Sequence, residues 1–332
     1  MNSVIFPGLI ETGLEKVLSS TEGTICDMCS HMIKAGGKRI RPLLVLYSGL
    51  AFSGLSDELV NASIAAELIH MASLTHDDII DNSDFRRSKP SVNRLWGNHF
   101  SVLCGDYLFA KALGILSGDR LLKSLDLMIE AIENMCTGEI IQAENKFKPD
   151  MDIDTYYKQI AGKTAVFFQC CCKSGASIGC TDEHHIKTLG EYGLNIGLAF
   201  QIIDDLLDFC GNARTMGKPV GEDLRQGVIT LPIIILLNDN KYGQPVRELI
   251  NKRRFETQDM EMVNSMLIES GAIDEAFEIA GSHIDKARKS LQILPQSEYT
   301  GFLYNLPDML RSKDIQHLKL AYTPEESANM II

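Results

Sequence analysis

Two short aspartate-rich segments constrain this chain more than any other feature of its sequence. Residues 77–81 read DDIID and residues 204–208 read DDLLD, and both lie among small and apolar residues that suit a helix. In a helix, the first and last aspartates of each segment lie one turn apart on one face, and the middle one lies about 100° around the axis. Carboxylates this close repel one another, and among apolar residues they carry a desolvation cost unless something pairs them.

A divalent cation would remove that repulsion. Purely oxygen ligands favour Mg²⁺, which keeps several waters and takes its other ligands from substrate phosphates. One such segment alone has a simpler interpretation, an acidic turn on a solvated helix face. Two copies in apolar surroundings favour two facing carboxylate clusters that hold a small group of Mg²⁺ ions, or of Mn²⁺, and a highly charged anion such as diphosphate. The predicted metal ligands are Asp77, Asp78, Asp81, Asp204, Asp205 and Asp208.

Basic residues lie where an anion site would need them. Residues 36–41 read GGKRIR and combine a flexible backbone with three cations at the expected start of a helix. A solvated basic helix start is the alternative, but it opposes the helix dipole unless an anion binds. Arg86 and Arg87 follow the first aspartate segment as phosphate-binding forks would.

A second group of candidates precedes the second aspartate segment. Lys163 follows Gly162 in a mostly apolar stretch, where a lone buried lysine is costly, and this favours a phosphate partner. Gln201 lies one helix turn before Asp205 and is placed to reach the carboxylates or the substrate, with ordinary helix hydrogen bonding as the alternative. The stretch 139–142 adds a glutamate and a glutamine that could face the same cavity.

Six blocks in this order resemble the trans-isoprenyl diphosphate synthase family. The blocks are GGKRIRP at 36–42, HDDIIDNSDFRR at 76–87, GDYLFAKAL at 105–113, GKTA at 162–165, FQIIDDLLD at 200–208 and GKPVGEDLRQG at 217–227. The sequence texture is helical, with breaks at glycine and proline between segments long enough for long helices. The resemblance implies the same: an all-α fold, a single large bundle of long helices around a central cavity, in one domain over residues 1–332 with a tail that frays from about residue 323.

The resemblance also implies a role for individual residues. The homoallylic substrate, isopentenyl diphosphate, would be held by Lys38, Arg41, His70 and Arg87. The allylic diphosphate would be held by Arg86, Lys163 and Lys218 together with the metals, with Thr164 and Gln201 as further substrate contacts. Ionisation of the allylic diphosphate gives a carbocation, which the double bond of isopentenyl diphosphate attacks. The six aspartates are then metal ligands rather than general bases, and Lys163 and Arg86 stabilise the leaving diphosphate.

The length of the product depends on the helix that carries the first aspartates. Ala72 and Ser73 lie five and four residues before Asp77, about one turn deeper along that helix, and both are small. By resemblance, short-chain synthases block this level with aromatic side chains. We therefore expect a medium- or long-chain all-trans polyprenyl diphosphate built from a farnesyl or geranylgeranyl primer, with geranylgeranyl diphosphate as the alternative product. Substitution of Ala72 by phenylalanine should shorten the product.

Composition limits the partners and the compartment. The net charge of −12 argues against nonspecific nucleic-acid binding. The nine cysteines include three in a row at 170–172, a poor disulfide framework, and the first residues lack the basic region of a signal peptide. No apolar run in the sequence approaches the roughly 18–20 residues that span a bilayer. We therefore expect a cytoplasmic protein without a transmembrane segment that meets membranes transiently through its greasy product.

Several alternatives remain open. A class I terpene cyclase also uses an aspartate-rich helix and Mg²⁺, but it needs no second substrate site. A noncatalytic regulatory subunit should have lost aspartates, and all six are present. The family implies a dimer, which could be a homodimer or the catalytic subunit of a heteromeric synthase. Val228 stands where many members carry lysine, and the C-terminus lacks their arginine or lysine, so a partner subunit could supply a missing basic contact.

Overall fold

Helices form nearly all of the regular structure that the computed structural model describes, which covers residues 5–19, 21–87, 89–210 and 221–311. This confirms the all-α prediction. The β structure in these ranges is one antiparallel pair, β1 (Phe85–Arg86) and β2 (Lys89–Pro90). The α-helices are α1 (Ile5–Leu18), α2 (Thr24–Lys34), α3 (Ile40–Leu50), α4 (Asp57–Ile80), α5 (Val92–Trp96), α6 (Asn98–Leu116), α7 (Leu122–Glu144), α8 (Ile153–Ile160), α9 (Val166–Gly179), α10 (Glu183–Cys210), α11 (Glu222–Arg225), α12 (Leu231–Leu237), α13 (Gly243–Asn251), α14 (Thr257–Ser270), α15 (Ala272–Ser290) and α16 (Glu298–Arg311). Short 3₁₀ turns lie at Asp119–Leu121 and Leu291–Ile293, and a π-helical turn at Ala161–Ala165.

The chain forms two compact units, and each unit is assembled from three stretches of sequence. The first unit comprises Met1–Ile132, Phe168–Gly190 and Ile293–Leu303, and the second comprises Glu133–Phe167, Glu191–Gln292 and Tyr304–Ile332. The prediction of a single domain over residues 1–332 stays a prediction. The expected fraying from residue 323 falls outside the described residues.

Helix α4 is the central element of the first unit. Its N-terminus is capped by Ser56, whose hydroxyl oxygen accepts a hydrogen bond from the Leu59 N–H at 3.2 Å, and two acidic residues in its first turn favour the helix dipole. It packs against α1, α3 and α6, and about half of its residues are buried. The helix ends at Ile80, so the first aspartate segment forms its last turn and C-cap.

The second unit has a continuous apolar core built from α8, α10 and α12 to α15. The β-branched run Leu231–Leu237 adopts the helix α12, with Thr230 extended before it and Pro232 in its first turn, where a missing N–H costs nothing. Six of its seven residues are buried in this core. Tertiary packing therefore outweighs the strand preference of the three consecutive isoleucines.

One helix corrects the sequence-based expectation about apolar length. Helix α6 has 19 residues and is long and apolar enough, by length and composition alone, to cross a membrane. A single helix of this kind is weak evidence of a membrane span, because a core helix of a soluble protein meets the same criteria of length and composition. Its contact with α4 packs one side of α6 inside the first unit, and its other side exposes large apolar side chains.

Candidate active site

The first aspartate segment lies where α4 ends and the chain turns back. Asp78 is only 3% exposed, whereas Asp77 and Asp81 are half-buried. The Asp78 carbonyl oxygen accepts hydrogen bonds from the Ser83 N–H at 2.8 Å and from the Asn93 side-chain amide at 3.3 Å. These bonds satisfy carbonyl groups that the helix end would leave unpaired.

The buried carboxylate of this segment is bound to an arginine. Arg86 lies on β1, and its Nε and Nη2 atoms lie 2.8 Å and 2.7 Å from Asp78 Oδ1. Such charge-assisted hydrogen bonds stabilise a buried carboxylate that would otherwise be unpaired. The sequence predicted mutual repulsion among the three aspartates, and Arg86 relieves part of it.

Arg87 follows in the turn between β1 and β2, with a left-handed φ of 51°. Its guanidinium lies against Gly37: a Cβ at that glycine would come within 2.5 Å of Arg87 Nη1. Gly37 itself has an extended φ of 159°, so the glycine is required for the close approach rather than for its backbone angle.

A pocket in the first unit, open in part to solvent, is lined by these groups. Its charged lining residues are Arg39, Glu67, Asp78, Arg86 and Arg87, together with His31, and its remaining lining is largely apolar. Three guanidinium groups beside apolar walls suit a phosphate-bearing ligand with a hydrocarbon part.

The cations of residues 38–41 are not equivalent. Lys38 is exposed, and Arg41 donates from Nη1 to His70 Nε2 at 3.1 Å. Burial and the surrounding arginines hold the pKa of His70 well below its usual range, so the ring is neutral and its Nε2 accepts. Arg39 is 5% exposed and lies in an ion pair with Glu67 at 2.6 Å and another with Glu11 at 2.7 Å.

The two positions predicted to control product length differ in their surroundings. Ser73 is half-buried and donates its hydroxyl to the His70 carbonyl oxygen at 2.9 Å. Ala72 is fully buried. Because Ser73 lies four residues before Asp77, it shares the helix face of Asp77 and Asp81, and Ala72 does not.

The second aspartate segment lies near the end of α10, in the second unit. Asp204 is exposed and Asp205 is 4% exposed. Asp205 Oδ2 accepts from the Tyr156 hydroxyl at 2.7 Å, and its Oδ1 accepts from Gln201 Nε2 at 2.9 Å. Gln201 in turn accepts from the Thr164 hydroxyl at 2.7 Å, so the amide links a predicted substrate contact to a predicted metal ligand.

Asp208, near the end of α10, binds the start of α11. Its two carboxylate oxygens accept from the backbone N–H groups of Glu222 and Asp223 at 3.1 Å and 3.0 Å, at the start of α11. Burial and the nearby Asp223 raise the pKa of Asp208 to about 7, and burial raises the pKa of Asp205 well above its usual range, with Asp223 adding to it. Lys218 lies outside the described residues.

Lys163 lies in the π-helical turn Ala161–Ala165. Its Nζ is 2.8 Å from Glu139 Oε2 and donates to Gln142 Oε1 at 3.2 Å, and both partners belong to α7. The turn approaches α7 closely, because a Cβ at Gly138 would lie 2.4 Å from the Lys163 backbone nitrogen. Insertions of this π type are frequent at functional sites.

The donor set suits Mg²⁺, although within the described ranges no group of three His, Cys, Asp or Glu residues is gathered as a metal site. All six predicted ligands are carboxylates, the donors that Mg²⁺ prefers. In the second unit, burial and the nearby Asp223 raise the pKa values of Asp205 and Asp208, and a bound cation would stabilise both carboxylates in their ionised form. The fit therefore rests on donor chemistry.

Sequence reasoning missed three residues of these arrangements. Glu67 lies three residues before His70, one helix turn away, so its spacing was a usable signal. Tyr156 is 49 residues from Asp205 and has no local signal. In the sequence Arg39 is one of three similar cations, and nothing local indicates that it binds Glu67 and Glu11.

Known proteins are similar to this chain in sequence and in fold. Residues 22–267 match the model of the polyprenyl synthetase family. Heptaprenyl diphosphate synthase component 2 of Geobacillus stearothermophilus is 36% identical over 305 residues, which is 92% of this chain and 95% of that protein. The crystal structure of heptaprenyl diphosphate synthase from Staphylococcus aureus superposes with a TM-score of 0.86 at 32% identity, over 92% of this chain and 96% of that one. Geranylgeranyl pyrophosphate synthetase from Pyrococcus horikoshii superposes with a TM-score of 0.85 at 33% identity, over 92% and 95%.

These likenesses define an isoprenoid-synthase fold that carries a prenyltransferase site. The chain belongs to the polyprenyl synthetase family. It is a prenyl diphosphate synthase.

Proposed function

We propose that this enzyme condenses isopentenyl diphosphate with farnesyl or geranylgeranyl diphosphate, and releases pyrophosphate and a medium- or long-chain all-trans polyprenyl diphosphate. The observation that carries the proposal is the arginine-lined cavity beside the first aspartate segment, in a chain of this family. The cavity pairs diphosphate-binding groups with apolar walls, as a prenyl diphosphate requires.

The proposed metal site uses carboxylates of both aspartate segments, Asp77, Asp78, Asp81, Asp204, Asp205 and Asp208. When bound, Mg²⁺ supplies Lewis-acid polarisation of the leaving diphosphate. In the first segment Asp77 and Asp81 share a helix face, and the Asp78–Arg86 ion pair holds Arg86 beside them. In the second segment Tyr156 and Gln201 orient Asp205.

The allylic diphosphate is proposed to lie against Arg86 and Lys163, with Lys218 as a further contact. Glu139 and Gln142 hold the Lys163 ammonium in one direction, so less freedom is lost when the substrate binds. Negative charge develops on the bridging oxygen as the carbon–oxygen bond breaks, and these cations stabilise it. Thr164, next to Lys163, donates to Gln201, and Gln201 donates to Asp205, so these two residues connect the Lys163 contact to the second aspartate segment.

Isopentenyl diphosphate is proposed to bind Lys38, Arg41, His70 and Arg87 in the first unit. His70 accepts from Arg41 through Nε2, so its Nδ1–H is the donor that remains for an anion. The double bond of this substrate then attacks the allylic carbocation, and loss of a proton to the released pyrophosphate restores an alkene.

The proposed product is longer than geranylgeranyl diphosphate. Likeness alone does not decide this, because a heptaprenyl and a geranylgeranyl synthase structure match almost equally well. The support comes from Ser73, a small half-buried residue on the face of α4 that carries Asp77. Neither Ser73 nor the adjacent Ala72 is aromatic, so at that level α4 itself contributes no aromatic side chain to this path.

The proposed assembly is a dimer that uses α6. Phe100, Val102 and Leu103 are 46%, 43% and 50% exposed on one side of this helix, an apolar face that another chain would cover. The relative named component 2 supports a heteromer as the alternative to a homodimer. We place the enzyme in the cytoplasm, with transient membrane contact through its product.

Incorporation of labelled isopentenyl diphosphate tests the function against its main rival. With farnesyl diphosphate and Mg²⁺, the label should enter extractable prenyl diphosphates. A class I cyclase would instead convert the allylic substrate alone to hydrocarbon and leave the label untouched. Incorporation only after a second protein is added would favour the heteromeric alternative.

A further inference from the structure

Glu67 is a buried acidic side chain in the middle of the basic cavity. It lies on α4, is 2% exposed, and its Oε1 is 2.6 Å from Arg39 Nη1. Burial raises the pKa of Glu67, and the guanidinium groups of Arg39, Arg41 and Arg87 oppose that rise. A carboxylate in such a place is costly unless it does something for its neighbours.

The charges around Glu67 belong to several elements. Arg39 precedes α3, Arg41 lies in its first turn, and Arg87 lies in the turn between β1 and β2. Burial lowers the pKa of Arg41 and of Arg87, and Glu67 counteracts that effect at both. At Arg39 the carboxylates of Glu11 and Glu67 outweigh burial and raise the pKa. One carboxylate therefore stabilises the charged form of three arginines from separate segments.

The Glu67–Arg39 contact helps to hold the backbone at Arg39 in an unusual conformation. Arg39 has a left-handed φ of 48° although it is not glycine, a strained conformation that persists only when its surroundings enforce it. Its side chain is fixed by Glu67 and Glu11 and by the Ile33 carbonyl oxygen at 3.4 Å. Lys38 directly precedes Arg39 and Arg41 follows two residues after it, and both are proposed diphosphate contacts.

The second oxygen of Glu67 faces the same region. Oε2 is buried and has no hydrogen-bond partner among the described residues, and Glu67 lines the cavity with Arg86 and Arg87. Glu67 Oε2 is therefore an acceptor near the Arg86 and Arg87 guanidinium groups and can help to orient them without forming a further ion pair.

We propose that Glu67 is a positioning residue for the isopentenyl diphosphate site: it holds Arg39, and through it the segment 36–41, and orients the guanidinium cluster before the diphosphate binds. The inference rests on the proposed function and deepens it. As a positioning residue Glu67 acts through the arginines, so its proposed effect is on binding of the homoallylic substrate rather than on ionisation of the allylic one.

If Glu67 acted only through its charge, neutralising it would change diphosphate binding in the opposite direction, so an experiment can distinguish the two roles. If Glu67 acted only through its charge, its neutralisation would leave the cavity more positive and tighten the binding of an anion. If Glu67 positions the arginines, the same neutralisation weakens binding, because the charge-assisted contacts that organise the site are lost.

The test compares Glu67→Gln, Glu67→Asp and the control Glu11→Gln with the wild-type chain. Glu11 also binds Arg39, but its side chain is 38% exposed and does not line the cavity. Binding of isopentenyl diphosphate alone is measured by calorimetry without Mg²⁺, and steady-state kinetics separate KM for each substrate from kcat. Melting temperatures establish that each variant is folded.

We expect Glu67→Gln to weaken isopentenyl diphosphate binding and raise its KM by roughly tenfold or more, the range for a lost hydrogen bond to a charged group. The KM for farnesyl diphosphate and kcat should change by less than about threefold, because other residues contact that substrate. Glu67→Asp, which keeps the charge but shortens the reach, should also weaken binding. Glu11→Gln removes the more exposed partner of Arg39 and leaves the Glu67 contact in place, so it should weaken binding by clearly less than Glu67→Gln. If Glu67→Gln does not fold, Glu67→Asp decides alone.

Tighter or unchanged binding in a folded Glu67→Gln or Glu67→Asp variant would overturn the inference. A wild-type chain that neither binds nor consumes isopentenyl diphosphate would overturn the proposed function itself, whatever the variants do. The wild-type measurement therefore separates the two failures.

Discussion

At the scale of single residues, the site depends on where side chains are absent as well as where they are present. Gly37 leaves room for the Arg87 guanidinium, which would lie 2.5 Å from a Cβ at that position. The obstructed atom is the far end of a flexible side chain, so a methyl group there displaces Arg87 without unfolding the protein. A substitution at Gly37 should therefore weaken substrate binding with little effect on the stability of the fold.

We predict that Gly37→Ala raises the KM for isopentenyl diphosphate by roughly tenfold, because one charge-assisted contact to the diphosphate is displaced. Its melting temperature should stay within about 2 °C of wild type, since the extended φ tolerates alanine and surface changes rarely exceed ±0.5 kcal/mol. Kinetics and calorimetric melting check both halves. Gly54→Ala, with nothing within 4 Å of its Cβ position, is the matched control and should leave KM unchanged. An unchanged KM in Gly37→Ala would show that Arg87 does not contact the substrate.

The carboxylates give the second prediction at this scale. Asp81→Asn keeps the shape of the side chain but weakens the proposed metal site, and we expect kcat to fall by at least about a hundredfold, as for loss of a group that stabilises developing charge. Part of the loss should be recovered at higher Mg²⁺ concentration. Asp274→Asn, an exposed change in the first turn of α15, is the control. Full activity in Asp81→Asn would remove Asp81 from the metal site.

At the scale of elements, α4 connects substrate binding to product length. Ser73 shares a helix face with Asp77 and is half-buried, whereas Ala72 is fully buried. We predict that Ser73→Phe shortens the product and leaves the fold intact. Ala72→Phe should in addition lower stability by about 1–3 kcal/mol, the usual cost of overpacking a core. Chromatographic sizing of extracted products and melting curves separate the two effects. A product distribution that Ser73→Phe leaves unchanged would contradict the proposed path of the growing chain.

The π-helical turn is the second element with a specific requirement. Its contact with α7 passes through Gly138, whose Cβ would meet the Lys163 backbone nitrogen at 2.4 Å. Backbone cannot move aside as a side-chain tip can, so Gly138→Ala should cost about 1–3 kcal/mol of stability and displace Lys163. Gly301→Ala, in a helix and with open space around its Cβ, should stabilise by about 0.5–1 kcal/mol. Equal melting temperatures for the two variants would show that the turn does not depend on this contact.

The elements also show which parts of the structure the sequence could predict. The helices that bear the aspartate segments follow from the small and apolar residues around those segments, and α3 begins at Ile40, within the expected helix start at residues 36–41. The Glu67–Arg39 pair and the Tyr156–Asp205 bond could not be predicted, because they join residues 28 and 49 positions apart whose approach depends on packing. The π-helical turn could not be predicted either, since one inserted residue leaves the apolar pattern almost unchanged.

At the scale of the whole molecule, the exposed apolar face of α6 predicts an assembly. Leu103→Glu should place a charge in the proposed interface and shift the molar mass measured by light scattering toward that of a single chain. Leu55→Glu is the matched control, because Leu55 is 51% exposed and lies outside α6. A wild-type chain that is monomeric at micromolar concentration would contradict the homodimer and favour a heteromer.

The most direct test of the central claim is product sizing with the purified wild-type chain. The chain is incubated with Mg²⁺, isopentenyl diphosphate and farnesyl diphosphate, with and without a chelator, and the extracted products are separated by length. We predict prenyl diphosphates longer than geranylgeranyl diphosphate, and none when the chelator removes the metal. Geranylgeranyl diphosphate as the sole product would contradict the proposed chain length, and no consumption of isopentenyl diphosphate, even with a partner protein supplied, would contradict the proposed reaction.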